Sequence, residues 1–339
     1  MAKNEKLKVA DFFAGIGGLG LGFKKAGFEI VYANDFNRNS CKTYQVNLGD
    51  IECKDIKDVD PDKIPDFDVF LGGFPCQPYS MIGKRLGLND ERGKVFFQII
   101  RILNAKRPKA FVLENVKHLQ LYNEGEVFRQ MVNNLEWLGY KVETRILDSQ
   151  HFGVPQHRER LYIIGFLEPK REFVLYKRNK KTQLKNILEK KVDEIFYLSE
   201  KYYKGLVKHK KRHSKGGNGF GCIVLNRSGV SNTLVAGNMG RERNLIQDKP
   251  IKKNKFGIRS LTIKECARLQ GFPDSFVFPV PRTNAYEQLG NAVTVPVAKA
   301  VATAVKRVLL ANAKAVSSNL SRKSLSVLDN QETVRTETF

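Results

Sequence analysis

The chain has 339 residues, 42% apolar and 27% charged, an ordinary soluble composition with room for a full core and two domains. No apolar run reaches the roughly 18 residues a membrane helix needs, because Lys299 and Lys306 interrupt the nearest candidate, and MAKNEKLKVADFF lacks the apolar segment of a signal peptide. Lys and Arg number 58 against 35 Asp and Glu, a net of +23, and between Lys170 and Arg259 24 basic face 7 acidic side chains, a local net of +17 that points to a polyanion partner rather than a merely solvated surface.

Strand and helix alternate along the first half. Val9–Phe13 reads as a strand entering a glycine-rich turn, and Gly18–Ala26 as the helix after it. Glu29–Asn34 is a strand, Asn37–Asn47 a helix and Asp68–Leu71 a later strand. Val95–Lys106 is helical by its apolar spacing, Ala110–Glu114 a buried strand and Glu126–Leu138 another helix. Arg145–Asp148 and Leu161–Phe166 are further strands. This repetition predicts an α/β fold, a doubly wound, mostly parallel sheet with helices on both faces. Ligands in such sheets bind beyond the carboxyl ends of the strands.

After about Glu168 the periodicity weakens and lysine and tyrosine dominate; GGNGFG (Gly216–Gly221) marks a turn-rich region of a second, smaller domain. Thr262 and Glu265 form a capping-box helix start, with Gly271 as the stop. Pro296 can open a final helix to about Leu310. Beyond Asn312 the chain has little to bury, and a disordered tail is expected. The five cysteines, Cys41, Cys53, Cys76, Cys222 and Cys266, form no CxxC pair, as expected for reduced thiols in a cytoplasm. The five histidines have no zinc-ligand spacing, so no metal is expected.

Four constellations carry chemistry. In DFFAGIGGLGLGF (Asp11–Phe23), Gly15, Gly17 and Gly20 satisfy G-x-G-x-x-G after a strand, and Asp35 ends the next strand, where an acid can hold ribose hydroxyls. This pattern fits a nicotinamide dehydrogenase as well as a methyltransferase. In GGFPCQPYS (Gly72–Ser80), Pro75 and Pro78 stiffen the turn that presents Cys76, and Met81–Gly93 could close as a lid. LENV (Leu113–Val116) places Glu114 at the end of an apolar strand, where desolvation favours the protonated carboxyl; a helix-capping acid is the plain alternative. PQHRERLYIIG (Pro155–Gly165) sets Arg158 and Arg160 two residues apart, on one face of a strand, with a surface salt-bridge pair as the plain alternative.

FAGIGG, PCQ, ENV, QHRER, RLQGFP (Arg268–Pro273) and QLGNAV (Gln288–Val293), in that order, resemble the motif set of the DNA cytosine carbon-5 methyltransferases. The similarity spans roughly Lys8–Phe166 and Arg259–Leu310, and the basic region sits where that family keeps its variable target-recognition domain. The resemblance implies a bacterial restriction–modification methylase that moves a methyl group from S-adenosylmethionine to carbon 5 of cytosine in a specific double-stranded DNA sequence, with base flipping and no metal. The implied organisation is a catalytic, cofactor-binding domain over 1–168 and a target-recognition domain over 169–282. A C-terminal helix over 283–312 returns to the catalytic domain, and the tail covers 313–339.

The same resemblance implies the roles of individual residues. Cys76 is the nucleophile, Glu114 and Arg160 hold the base, and Arg158 and Gln77 join the catalytic set. Phe13, Gly15 and Gly17 line the methionine part of the cofactor, Asp35 takes the ribose, and Phe36 stacks on adenine. Asp55 and Ile56 meet the adenine edge, while Pro75 and Asn291 complete the site. Ser80 and Arg92 touch DNA from the lid, and Thr233 and Leu234 resemble the recurrent pair of the recognition domain. A cytoplasmic monomer on DNA is implied; whether a cognate restriction endonuclease shares the site is left open by the sequence.

A runner-up, a nicotinamide-dependent oxidoreductase, leaves the prolyl-cysteine turn, the arginine pair and the basic region unexplained. A DNA-binding relative without activity would have lost Cys76 or Glu114, and both are present.

Overall fold

The computed structural model describes residues 6–75, 94–169, 171–177, 182–215, 221–237, 242–252 and 254–312. Seven strands, β1 (Lys8–Phe12), β2 (Glu29–Asp35), β3 (Glu52–Cys53), β4 (Val69–Gly72), β5 (Ala110–Val116), β6 (Lys141–Asp148) and β7 (Glu159–Phe166), form one sheet in the order 3-2-1-4-5-7-6. The first five pair in parallel, whereas β7 runs antiparallel to both β5 and β6. The sheet is thus mostly parallel, with one reversed strand beside an edge.

Successive side chains of the central strands enter two different cores, as the two-residue period of a strand buried on both faces demands. Val9, Val69, Leu71, Val112 and Ile164 face one side, and there meet Leu19 and Phe23 of α1 (Gly18–Lys25). Phe12, Phe70, Phe111, Leu113 and Ile163 face the other. On that side Ile99, Ile102 and Leu103 of α3 (Lys94–Lys106) and Met131 and Leu135 of α4 (Glu126–Trp137) cover them. Each such fully buried aliphatic or aromatic side chain contributes about 1.5–3 kcal/mol. Between β2 and β3 lies α2 (Arg38–Leu48), whose N-cap Asn37 accepts from the amides of Asn39 and Ser40.

The second region builds on a two-stranded sheet of β8 (Leu245–Gln247) and β9 (Ile258–Ser260), flanked by the lysine-rich α5 (Glu200–Lys215). Helix α6 (Ile263–Gln270) starts in the expected capping box of Thr262 and Glu265 and stops at Gly271, which is left-handed at φ 77. The span 283–312 holds two helices, α7 (Arg282–Asn291) and α8 over 295–312, separated by 292–294, and α8 covers the helix expected from Pro296 to about Leu310. Val297, Val301, Val305 and Val308 of α8 share the core of Val9 and Val112, so this helix packs on the seven-stranded sheet. No helix among the described residues is long and apolar enough to cross a membrane.

Candidate active site

The glycine turn follows β1 and faces the ends of β2 and β4. Phe13 and Gly15 both have positive φ, 53 and 58, and Gly17 sits at φ 85 as the N-cap of α1. A Cβ on Gly17 would stand 2.0 Å from the Leu48 side chain, so any other residue would be strained at this φ and would have to displace Leu48. A Cβ on Gly15 would meet nothing within 4 Å, which leaves open space over the turn. Asp35 closes the turn from β2: its Oδ2 accepts from the Gly15 amide at 2.8 Å and its Oδ1 from Asn37 at 2.8 Å. Burial raises the Asp35 pKa, against the pull of the backbone donors Asn37, Gly15 and Phe36. The Phe36 ring beside it is 68% exposed. Asp55 caps the short turn Ile56–Asp58 through the Lys57 amide at 3.0 Å, and Ile56 is buried. An open cradle, an acid and an uncovered aromatic ring at adjacent strand ends fit a nucleoside with a charged tail.

One residue of this cradle was not anticipated. Asp11 is fully buried in β1, and its Oδ2 accepts from the Gly20 amide at 3.1 Å, capping α1 in place of the side chain that Gly17 lacks. Desolvation pushes its pKa up to about 7, with the Asp35 charge adding to the rise. An acid at the centre of the apolar run VADFF was the available signal.

Two strands away, β5 presents Glu114, 7% exposed. Its Oε1 lies 3.4 Å from Arg160 Nε, yet the contact lacks hydrogen-bond direction and leaves that oxygen without a hydrogen-bonded donor among the described residues. Burial raises the Glu114 pKa, and the charges of Arg160 and Arg158 oppose the rise. The neighbouring Asn115 of the same motif makes a contact that the sequence did not show. Its amide donates to the Phe74 carbonyl at 3.1 Å and so fastens β5 to the segment entering Pro75. Pro75 is exposed; Cys76, Gln77, Ser80 and Arg92 lie outside the described residues, as does the expected lid over 81–93.

The two arginines part company. Arg160 lies in β7 and meets Glu114, whereas Arg158 precedes the strand and is buried at 2% exposure. Its guanidinium donates to the carbonyls of Leu234 at 2.7 Å, Gly290 at 3.1 Å and Ala292 at 2.9 Å. Thr233 Oγ1 donates to the His157 carbonyl at 2.8 Å, and the Leu234 amide to Gln156 Oε1 at 2.9 Å. Asn291 ends α7 and is exposed. Nearby, a Cβ on Gly290 would stand 2.4 Å from the Ala236 amide and one on Gly18 would stand 2.2 Å from the Val293 carbonyl oxygen, so the GNAV segment joins both halves through close backbone approach. Among the described residues no group of three or more His, Cys, Asp or Glu could hold a metal.

A 3-2-1-4-5-7-6 sheet with one reversed strand and a glycine cradle at the end of β1 is the fold of the S-adenosylmethionine-dependent methyltransferases. Within that class the model of C-5 cytosine-specific DNA methylase matches residues 7–307, and the chain belongs to this family. It is 41% identical to type II methyltransferase M1.ScrFI of Lactococcus lactis subsp. cremoris, over 91% of this chain and 80% of the relative. It is likewise 41% identical to type II methyltransferase M.HpaII of Haemophilus parainfluenzae, over 87% and 88%. Among solved structures, a DNMT2 mutant from Spodoptera frugiperda superposes with a TM-score of 0.72 at 23% identity, covering 90% of this chain and 100% of that one. A putative DNA modification methyltransferase encoded within an E. coli prophage gives 0.67 at 20% identity, covering 90% and 99%. Both structures share the fold.

Proposed function

We propose that this protein methylates carbon 5 of a cytosine within a specific double-stranded DNA sequence, as the methylase of a type II restriction–modification system, the kind of enzyme its relatives are named for. The observation that carries the reading is the buried Glu114, whose Oε1 has no hydrogen-bond partner among the described residues, set beside Arg160 and next to the strand that leads into Pro75 and Cys76.

Cytosine carbon 5 is too weak a nucleophile to take a methyl group unaided. Addition of the Cys76 thiolate to carbon 6 moves electron density to carbon 5. A protonated Glu114 donates to the ring nitrogen and its carboxyl also meets the amino group, while Arg160 supports the carbonyl oxygen. Raised by burial, Glu114 favours the protonated form this donation needs. S-adenosylmethionine supplies an electrophilic sulfonium methyl group. Phe13, Gly15, Gly17 and Pro75 would line its methionine part, Asp35 the ribose, and Phe36, Asp55 and Ile56 the adenine, with Asn291 on the C-terminal side. Loss of the carbon 5 proton to a base, water or a side chain, then expels the Cys76 thiolate. Attack of this kind needs both faces of the ring, so the base leaves the stack, as methyltransferases that act on duplex DNA require. Gln77, Ser80 and Arg92 would close over the flipped base, and Thr233 and Leu234 sit in the segment that reads the sequence.

DNA carrying 5-fluorocytosine at the target keeps fluorine where the proton must leave. A denaturation-resistant complex that depends on S-adenosylmethionine is expected, and Cys76→Ser should abolish it. Near wild-type methylation by Cys76→Ser, read by bisulfite sequencing, would defeat the covalent mechanism.

A further inference from the structure

Four motif segments meet in one buried polar joint that the chemistry above does not use. Gln156 Nε2 donates to the Leu269 carbonyl at 3.0 Å, and Gln270 Nε2 to that of Leu289 at 2.6 Å. Thr294 Oγ1 donates to Gln270 Oε1 at 2.7 Å. Arg158 ties the PQHRER segment to Leu234 of the basic region and to Gly290 and Ala292 behind α7. The joint gives this cation three carbonyl acceptors, and its Nε has no hydrogen-bond partner among the described residues. A buried cation cannot give up such acceptors cheaply, so the 231–234 segment and the start of β7 must move as one body. Two residues along the chain is Arg160, its Nε 3.4 Å from Oε1 of Glu114.

We propose that Arg158 is a positioning residue through which the seating of the recognition segment sets Arg160 against Glu114, so that a wrong DNA sequence is rejected in the chemical step as well as in binding. The recognition segment is tied to this stretch of chain by backbone bonds of Ser231 with Pro155 and His157, by the Leu234 amide on Gln156, and by two further side-chain bonds. Thr233 holds the His157 carbonyl at the surface and Arg158 holds the Leu234 carbonyl within. A duplex that displaces Thr233 and Leu234 would pull on both, and β7 would carry the displacement to Arg160. The inference rests on the reading of Glu114 as the carboxyl acting on the base.

The test compares Arg158→Lys with the wild type in single turnover at saturating DNA, on the target duplex and on one with a single altered base pair beside the cytosine. Lysine keeps the charge but cannot span three carbonyls. Arg158→Lys is expected to slow the target about 10-fold or more and the altered duplex within about 2-fold, with the KM for S-adenosylmethionine also within about 2-fold. The discrimination ratio therefore collapses. Equal slowing of both duplexes would make Arg158 merely structural and overturn the inference. Thr233→Ala removes the surface tie without touching the core, so it serves if Arg158→Lys fails to fold. Its saturated ratio should fall too, and an unchanged ratio overturns the inference. The double variant should be non-additive, because the two side-chain bonds share one path. Glu114→Gln separates the layers: full activity would sink the reading beneath, whereas an inactive Glu114→Gln with an unchanged Arg158→Lys ratio sinks this inference alone.

Discussion

The Gly15 amide donates to Asp35 Oδ2 across 2.8 Å, so the glycine turn after β1 and the acid ending β2 form one unit. The other carboxylate oxygen accepts from Asn37 at 2.8 Å. Asparagine offers one acceptor in place of two and turns its amide against a backbone N–H. A lost bond to a charged group costs about 1.5–3 kcal/mol. Asp35→Asn should therefore weaken S-adenosylmethionine binding by about 10-fold to 100-fold. Calorimetric titration checks this, and wild-type affinity would show that the unit does not shape the cofactor site.

Asp11 makes folding stability depend on pH. Its pKa is raised from 3.8 to about 7 by burial, so the native state holds the proton more tightly than the unfolded chain does. The stability this provides is complete below 3.8 and is lost as pH rises through about 7. The gap corresponds to on the order of 4 kcal/mol. Asp11→Asn does not titrate and can still accept from the Gly20 amide. Urea unfolding between about pH 5 and about pH 8 should show the wild type losing stability relative to Asp11→Asn. Parallel pH curves for the two proteins would refute this.

The cradle was legible because glycines and a strand-end acid leave a local signature, and the sheet because its central strands are short apolar runs. What escaped depends on pairing across the chain. Strand β6 begins at Lys141 rather than Arg145 because it pairs with the whole of β7, including Lys141 with Phe166. The sequence spacing put Arg158 and Arg160 on one strand face; β7 starts between them at Glu159, and both charges act on Glu114. Arg158 finds its partners 76 to 134 positions away, a distance at which local pattern says nothing. Asn115 looked like part of a motif, and only the fold shows its amide on the Phe74 carbonyl.

Arg259 is fully buried and bridges Asp248 and Glu265, with Glu265 buried as well. Glu265 also closes the capping box through the Thr262 amide at 2.9 Å. Glu265→Ala strips half the compensation from a buried cation and should destabilise the fold by about 3–5 kcal/mol. The expected readout is a lower urea midpoint with affinity for S-adenosylmethionine retained in the folded fraction, because this cluster is not part of the cofactor cradle. Unchanged stability would mean that Asp248 alone satisfies Arg259.

Helix α5 divides its faces by charge. Tyr203, Leu206 and Val207, at helical spacing, pack on Cys222, Leu245 and Ile258. That docking turns Lys208, Lys211 and Arg212 outward, and all three are exposed. A cation against a DNA phosphate releases a counterion, and each such contact adds about 0.9 to the slope of log affinity against log salt. Changing these three residues to alanine should flatten that slope by up to about 2.7 if all three make contact. Phosphates carry no direct sequence information, so affinity should fall alike on target and unrelated duplexes while the ratio between them holds. Lys204 is a weaker candidate, since it already faces Glu200 at 3.8 Å. Filter binding or fluorescence anisotropy across a salt series gives both quantities. A slope that stays at its wild-type value would place the DNA on another face of the protein.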